Sequence, residues 1–424
     1  MRVDFILHLK KLILDSLITL FGNSISRLAF IVMSIVTANT LYSIDFQNVT
    51  IMVSTINMLV SSFGFAAGIT IVKSGVEYRL EENKKKLREY QYILSLVIKL
   101  PIFVFFISLP FIGLISSSLF NNNKFITIVF LVLSILAFFY TIISYLLISI
   151  ENFSAIAKNK VIYGLMFICT LFVINYNGFN EYNVYIIITA LVLFYISGIF
   201  PPYKIYKNSS FYIKPSRIKL KHGDTNYLVK ITLPALFSNS VYAIAIWLQI
   251  IIVIYLTKNR QMAAEVATGM IWFNAISYIP QIVSTVILPK ISGNSSAKAT
   301  LLKYGFFINL LSTLGMIIFV IIIKDYLGLI YDEQFKNMSA LILFLSIAAL
   351  PNALCKVTGQ YFISELKMKQ SLVFNIIWAL IYISLSYIFL KQGLGSISIA
   401  YSLIISYSVL LLIQVLYIKV NHEK

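Results

Sequence analysis

FITIVFLVLSILAFFYTIISYLLISI, residues 125–150, contains no charged side chain. A helix rises about 1.5 Å per residue, so about 20 apolar residues cross the hydrocarbon core of a bilayer. This stretch is long enough to do so. Working outward from it, runs of the same kind recur at 12–37, 49–73, 92–115, 160–177, 182–201, 231–256, 265–289, 303–323, 338–363, 371–390 and 396–418. With 125–150 they predict twelve transmembrane helices. The whole chain agrees: of 424 residues, 59% are hydrophobic and only 12% charged. Soluble domains carry about 25% charged residues. The connections are short, such as Asn121-Asn122-Asn123, and none has room for a soluble domain. The longest, about 202–230, is interrupted by Pro202 and Pro215 and holds seven Lys/Arg.

An even number of spans puts both termini on one side, and the basic residues say which. Twenty-five of the 34 Lys/Arg fall in 1–11, 74–91, 151–159, 202–230, 290–302, 364–370 and 419–424 or at their edges, where Lys73, Lys160 and Lys303 are counted. The six alternate segments hold only Lys124, Lys258, Arg260, Lys324, Lys336 and Lys391. Cytoplasmic loops carry such an excess, so both termini are expected in the cytoplasm. The formal net charge of +18 is therefore mostly an orientation label, and no nucleic-acid partner is expected. The basic loop divides the chain into 1–215 and 216–424, two bundles of six helices. Six is even, so both bundles enter the membrane in the same sense, related by a pseudo-twofold axis along the membrane normal. The expected fold is an all-α integral membrane protein around a central cationic cavity.

Other classes are excluded. Cys169 and Cys355 lie in apolar runs, and His8, His222 and His422 are far apart, so no disulfide framework or metal-ligand spacing exists. No phosphate-binding loop, dinucleotide fingerprint or zinc-protease motif occurs. No cofactor or metal is expected. The N-terminal apolar run lacks the small-residue site of a cleavable signal.

Charged and polar residues inside the spans carry the functional reading. Ser16, Thr19, Asn23, Arg27 and Ser34 share one face of the first helix. Thr50, Ser54, Asn57, Ser61, Gly64 and Gly68 do so on the second, Ser238, Tyr242 and Gln249 on the seventh, and Asn274, Ser277, Gln281 and Thr285 on the eighth. Small and hydroxyl residues serve helix packing; stripes that also hold Asn, Gln and Arg suit a hydrated cavity between the halves. Arg27 lies some 15 residues into its run, roughly 22 Å from the cytoplasmic edge. Facing lipid there costs at least ~2.5–3.5 kcal/mol, so it should face the interior. It either ties down a neighbour's helix-end carbonyls or contacts an anion; the second is favoured. Lys99 and Lys356 either snorkel and pack or join it in the cavity. The middle of every span lacks Asp and Glu. A carrier of cations usually displays buried carboxylates; a basic, amide-rich cavity suits an anionic, hydrogen-bonding cargo such as a phosphorylated sugar compound.

Short motifs add a resemblance. Asn23-Ser24-x-x-Arg27, Thr37-Ala38-Asn39-Thr40-Leu41 and Phe46, Phe63-Gly64-Phe65 followed by Lys73 and Glu77-Tyr78-Arg79, Leu233-Pro234, Leu288-Pro289-Lys290-Ile291-Ser292, the stretch Leu329 to Phe335, and Gly393-Leu394-Gly395-Ser396 resemble the multidrug/oligosaccharidyl-lipid/polysaccharide exporter superfamily. Within it the chain is most similar to Wzx-type O-antigen and polysaccharide flippases. It departs from them at Tyr42 and Gln47, where glycines are usual. It departs again at Leu248-Gln249, where many relatives have an acidic–basic pair, so a coupling role for that pair is not carried over. The resemblance implies a V-shaped pair of bundles and a non-enzymatic flippase of the bacterial inner membrane. The implied cargo is an undecaprenyl-diphosphate-linked oligosaccharide, used for O antigen, lipopolysaccharide or related surface polysaccharide. Other membrane proteins of polysaccharide assembly are implied partners. Arg27 matches a basic position of the family's first helix. The expected substrate contacts are Arg27, Lys99 and Lys356 for the diphosphate, and Asn23, Asn57, Gln249, Asn274 and Gln281 for sugar hydroxyls. The rivals are a multidrug antiporter, against which the missing carboxylates speak, and a polysaccharide polymerase. The polymerase is disfavoured by short outer loops whose one adjacent acidic pair is Asp332-Glu333.

Overall fold

The computed structural model describes residues 2–64, 67–68, 71–72, 75, 78, 84–120, 122–150, 152–176, 182–209, 211–213, 233–283, 298–331, 338–365 and 367–422. Side chains of the first helix are described from Ile18 on, Thr19 excepted. Ser16, Thr19, Thr285, Lys73, Glu77, Arg79, the 288–292 motif, Asp332, Glu333 and the proposed boundary at 215/216 lie outside that set.

Among the described residues the chain is all-helical, with twelve long helices and no strand. They are α1 (Arg2–Thr40), α2 (Ser43–Leu59), α3 (Lys84–Ser108), α4 (Lys124–Ser149), α5 (Phe153–Tyr176), α6 (Asn183–Lys207), α7 (Leu233–Thr257), α8 (Arg260–Ile276), α9 (Lys298–Ile330), α10 (Met338–Ser364), α11 (Met368–Lys391) and α12 (Ile397–His422). Ten of the crossings are long and apolar enough to span a membrane. The other two expected runs, 49–73 and 265–289, extend into residues outside the described set. Their described parts are α2, which passes into a π turn at Val60–Gly64, and α8. The third crossing is interrupted: Pro101 removes a helix donor within α3, and a 3-10 turn at Leu109–Phe111 leads into a short helix, Ile112–Leu119.

Local chemistry sets the tight turns between helices. The Asn123 carboxamide caps α4 by accepting from the Ile126 amide at 3.1 Å, and Asn259 caps α8 by accepting from Met262 at 3.1 Å. Each cap follows a left-handed residue, Asn122 (φ 62°) and Lys258 (φ 55°). Between α11 and α12 the turn uses Gly393 (φ 82°) and Gly395 (φ 62°), a conformation open to glycine without a Cβ clash.

The packing divides the chain into two units, Met1–Val36 with Thr40–Asn239, and Ser240–Lys424 with Thr37–Asn39. In the first, α6 packs against α4 and α5. A ring cluster of Phe30, Phe167 and Phe194 joins α1, α5 and α6, with centroids 5.5–6.2 Å apart. In the second, α10 is central, packed against α8, α9 and α12. There Trp378 lies against Tyr242 (5.0 Å), Tyr382 (5.4 Å) and Tyr407 (5.1 Å).

Candidate functional site

The site begins with two glycines. A Cβ at Gly22 on α1 would stand 2.6 Å from Ala157 Cα on α5, and one at Gly164 on α5 would stand 3.0 Å from the Ile25 side chain. Small residues let two backbones approach this closely, as in membrane helix pairs generally. The approach also sets the register. Lys160 Nζ on α5 donates to Asn23 Oδ1 on α1, residues 137 apart in sequence. Phe30 and Phe167, separated by the same interval, meet two turns further along. A constant interval means the two helices run parallel, as first and fifth crossings of one membrane must.

Lys160 stands seven residues into α5, about 10 Å from that helix's first residue. Arg27, one turn beyond Asn23, is close enough for its charge to act on Lys160. Ser26, between them, is hydrogen-bonded to Tyr140 on α4. Tyr140 in turn packs on Tyr195 of α6 at 5.9 Å. The first unit thus gathers two cations, an amide and hydroxyls from α1, α4, α5 and α6. The spans contributing them, 20–40, 124–149, 153–174 and 183–207, contain no Asp or Glu. Arg27, Asn23 and Lys160 are all half-buried.

Of the expected contacts, the structure therefore brings Asn23 and Arg27 together. It adds Lys160, which charge counting places among the cytoplasmic edge residues. The α2 stripe divides. Gly64 and Gly68 face Thr141 and Tyr145 of α4, where a Cβ would stand 3.2 and 2.1 Å from their side chains, so those positions serve packing. Asn57 is exposed. Lys99 is exposed too, and lines a cavity of about 370 Å³ with Tyr92, Ser95, Leu96 and Phe103 of the same helix.

In the second unit, α8 breaks at Ser277, and the break is heavily bonded. Its carbonyl accepts from Lys356 Nζ at 2.8 Å and from the Gln281 amide at 3.3 Å, while its hydroxyl accepts from Asn352 Nδ2 at 3.1 Å. The Lys356 ammonium is thus engaged with backbone at a helix end. Pro351, a turn before Lys356, and Asn309, which donates to the Ala353 carbonyl at 2.9 Å, belong to the same region of α10. Gln281 is half-buried and Asn274 exposed. Gln249 is fully buried with both ends of its amide unpaired, on the α7 face that carries Tyr242. The Tyr242 hydroxyl accepts from Tyr407 at 2.6 Å.

No protein-family profile matches this sequence. The chain is 24% identical over 196 residues to the EPS I polysaccharide export inner membrane protein EpsE of Ralstonia solanacearum, a match covering 44% of each chain. The chain thus spans less than half the length of the curated relative it matches. Among solved structures, it is similar to an inward-facing multidrug resistance MATE family transporter of the MOP superfamily (TM-score 0.71, 14% identity, 96% of this chain and 98% of that one). It is also similar to the lipid II flippase MurJ in an inward closed conformation (TM-score 0.68, 18% identity, 96% of this chain and 87% of that one). The fold is that of the MATE and MurJ transporters, and the chain is a multi-pass membrane protein.

Proposed function

We propose that this protein is a flippase. Its cargo is an undecaprenyl-diphosphate-linked oligosaccharide repeat unit of O antigen or a related surface polysaccharide. It moves that cargo from the cytoplasmic to the periplasmic leaflet of a bacterial inner membrane by alternating access. The observation that carries the reading is the gathering of Arg27, Lys160 and Asn23 within the apolar spans 20–40 and 153–174, which hold no carboxylate. Such a site attracts an anion and offers hydrogen bonds to it. The likeness to an exopolysaccharide export protein and to a lipid II flippase supports a lipid-linked cargo. An inside-negative potential favours outward movement of an anion by about 2.3 kcal/mol per charge per 100 mV, which suits a carrier lacking central carboxylates. In this reading both termini are cytoplasmic, and membrane proteins of polysaccharide assembly are the functional neighbours.

The test is a deletion strain in which lipid-linked repeat units are located by leaflet. Accumulation on the inner leaflet supports a flippase; accumulation of short units on the outer leaflet supports a polymerase instead. Arg27→Ala is expected to abolish surface polysaccharide at normal protein level, and unchanged export would make Arg27 structural. The likeness to a multidrug resistance transporter favours a second reading, a small-molecule antiporter. Drug resistance conferred on a transporter-deficient host would establish it.

A further inference from the structure

We propose that Lys160 is the second cation of the anion site and makes it selective for a diphosphate over a monophosphate. The inference rests on the reading above and names a specificity residue within it. Three observations carry it. The first is the Lys160–Asn23 hydrogen bond, set by the close approach of α1 and α5 at Gly22 and Gly164. The second is the neighbouring Arg27 charge, which acts on Lys160. The third is the chemistry of the acceptor. Asn23 offers Lys160 a neutral oxygen, so the bond positions the ammonium without cancelling its charge, and an ammonium has two further N–H groups.

Two like charges held near each other repel. A group with several negative oxygens relieves that repulsion at both ends. A monophosphate presents one phosphorus centre and cannot span two cations on separate helices as well as a diphosphate can. Arg supplies a planar fork and Lys a compact point charge, a combination suited to two linked phosphates. Lys356 has no such freedom, since its ammonium already donates to the Ser277 carbonyl.

The experiment uses the full chain in nanodiscs of neutral lipid. Binding of farnesyl diphosphate, farnesyl monophosphate and inorganic pyrophosphate is measured for wild type, Lys160→Gln and Asn23→Asp. Lys160→Gln keeps a donor for Asn23 and removes the charge. Asn23→Asp keeps Lys160 and neutralises it with an ion pair that still joins α1 to α5, so folding is retained in at least one variant. Wild type is expected to prefer the diphosphate by about tenfold, the scale of one charge-assisted hydrogen bond. Both variants should bring that ratio close to one. Pyrophosphate binding with the same dependence supports the two-cation site and shows that the prenyl chain is dispensable. A preference that survives both variants overturns the role of Lys160 and leaves the flippase reading standing. Wild type that binds neither prenyl phosphate overturns both.

Discussion

Replacing Gly22 with Ala tests the contact on which the site depends. The new methyl would lie 2.6 Å from Ala157 Cα and 2.9 Å from the Ala157 carbonyl oxygen. Ordinary contact begins near 3.4 Å, so the helices must part by about 0.8 Å. Both obstructing atoms are backbone within α5, so no side-chain rotation relieves the clash. Overpacking of this kind costs about 1–3 kcal/mol. Against it stands the helix preference for Ala over Gly, about 0.8–1 kcal/mol. A matched control separates the two effects. A methyl added at Gly315 on α9 would meet nothing within 4 Å, so Gly315→Ala should show the helix gain alone. Gly22→Ala should therefore be less stable than Gly315→Ala by about 1–3 kcal/mol, the overpacking cost alone. Reversible unfolding in mixed micelles measures the difference. If Gly22→Ala stabilises the protein as much as Gly315→Ala does, α1 and α5 are not held by backbone approach, and the placement of Lys160 beside Asn23 loses its support.

Three further outcomes are expected. Gln249→Leu should raise stability by about 1–3 kcal/mol, because it removes a buried amide with no partner; a loss of stability would mean that the amide is engaged in the membrane. Lys356→Met should lower stability by about 0.6–1.7 kcal/mol by removing the side-chain hydrogen bond to the Ser277 carbonyl at the break in α8, and a variant as stable as wild type would refute that tie. Burial holds the Asp45 carboxyl, in the first turn of α2, above its ordinary value of 3.8. Its ionisation therefore opposes folding. Its contribution is full below 3.8 and lost as pH rises through the higher folded value. Asp45→Asn should flatten that decline in the melting temperature; an unchanged pH profile would show that Asp45 is not its source.

The crossings were legible because a bilayer imposes a one-dimensional rule, and run length with charge bias reads it directly. The positions of α4, α6, α10 and α12 follow from that rule alone. The polar stripes were legible as faces, but a face does not name its partner. Gly64 and Gly68 sit in the same stripe as Asn57, yet they meet Thr141 and Tyr145 while Asn57 is exposed. Lys356 was visible as an intramembrane cation, but its acceptor is a main-chain carbonyl, and a carbonyl leaves no mark in the sequence.

Lys160 shows the division most clearly. Counted along the chain, it is the last basic residue before an apolar run and reads as an orientation label like Lys73 and Lys303. In the folded protein it bonds to Asn23 within reach of the Arg27 charge, because Gly22, Ala157 and Gly164 allow two parallel helices to touch. Composition, span lengths and charge bias by themselves determined a twelve-helix membrane protein with an interior poor in carboxylates. Only the tertiary structure decided which cations share a neighbourhood. Hydropathy acts on each residue separately, whereas an anion site needs charges from helices more than a hundred residues apart, brought into register by side chains small enough to let the backbones meet.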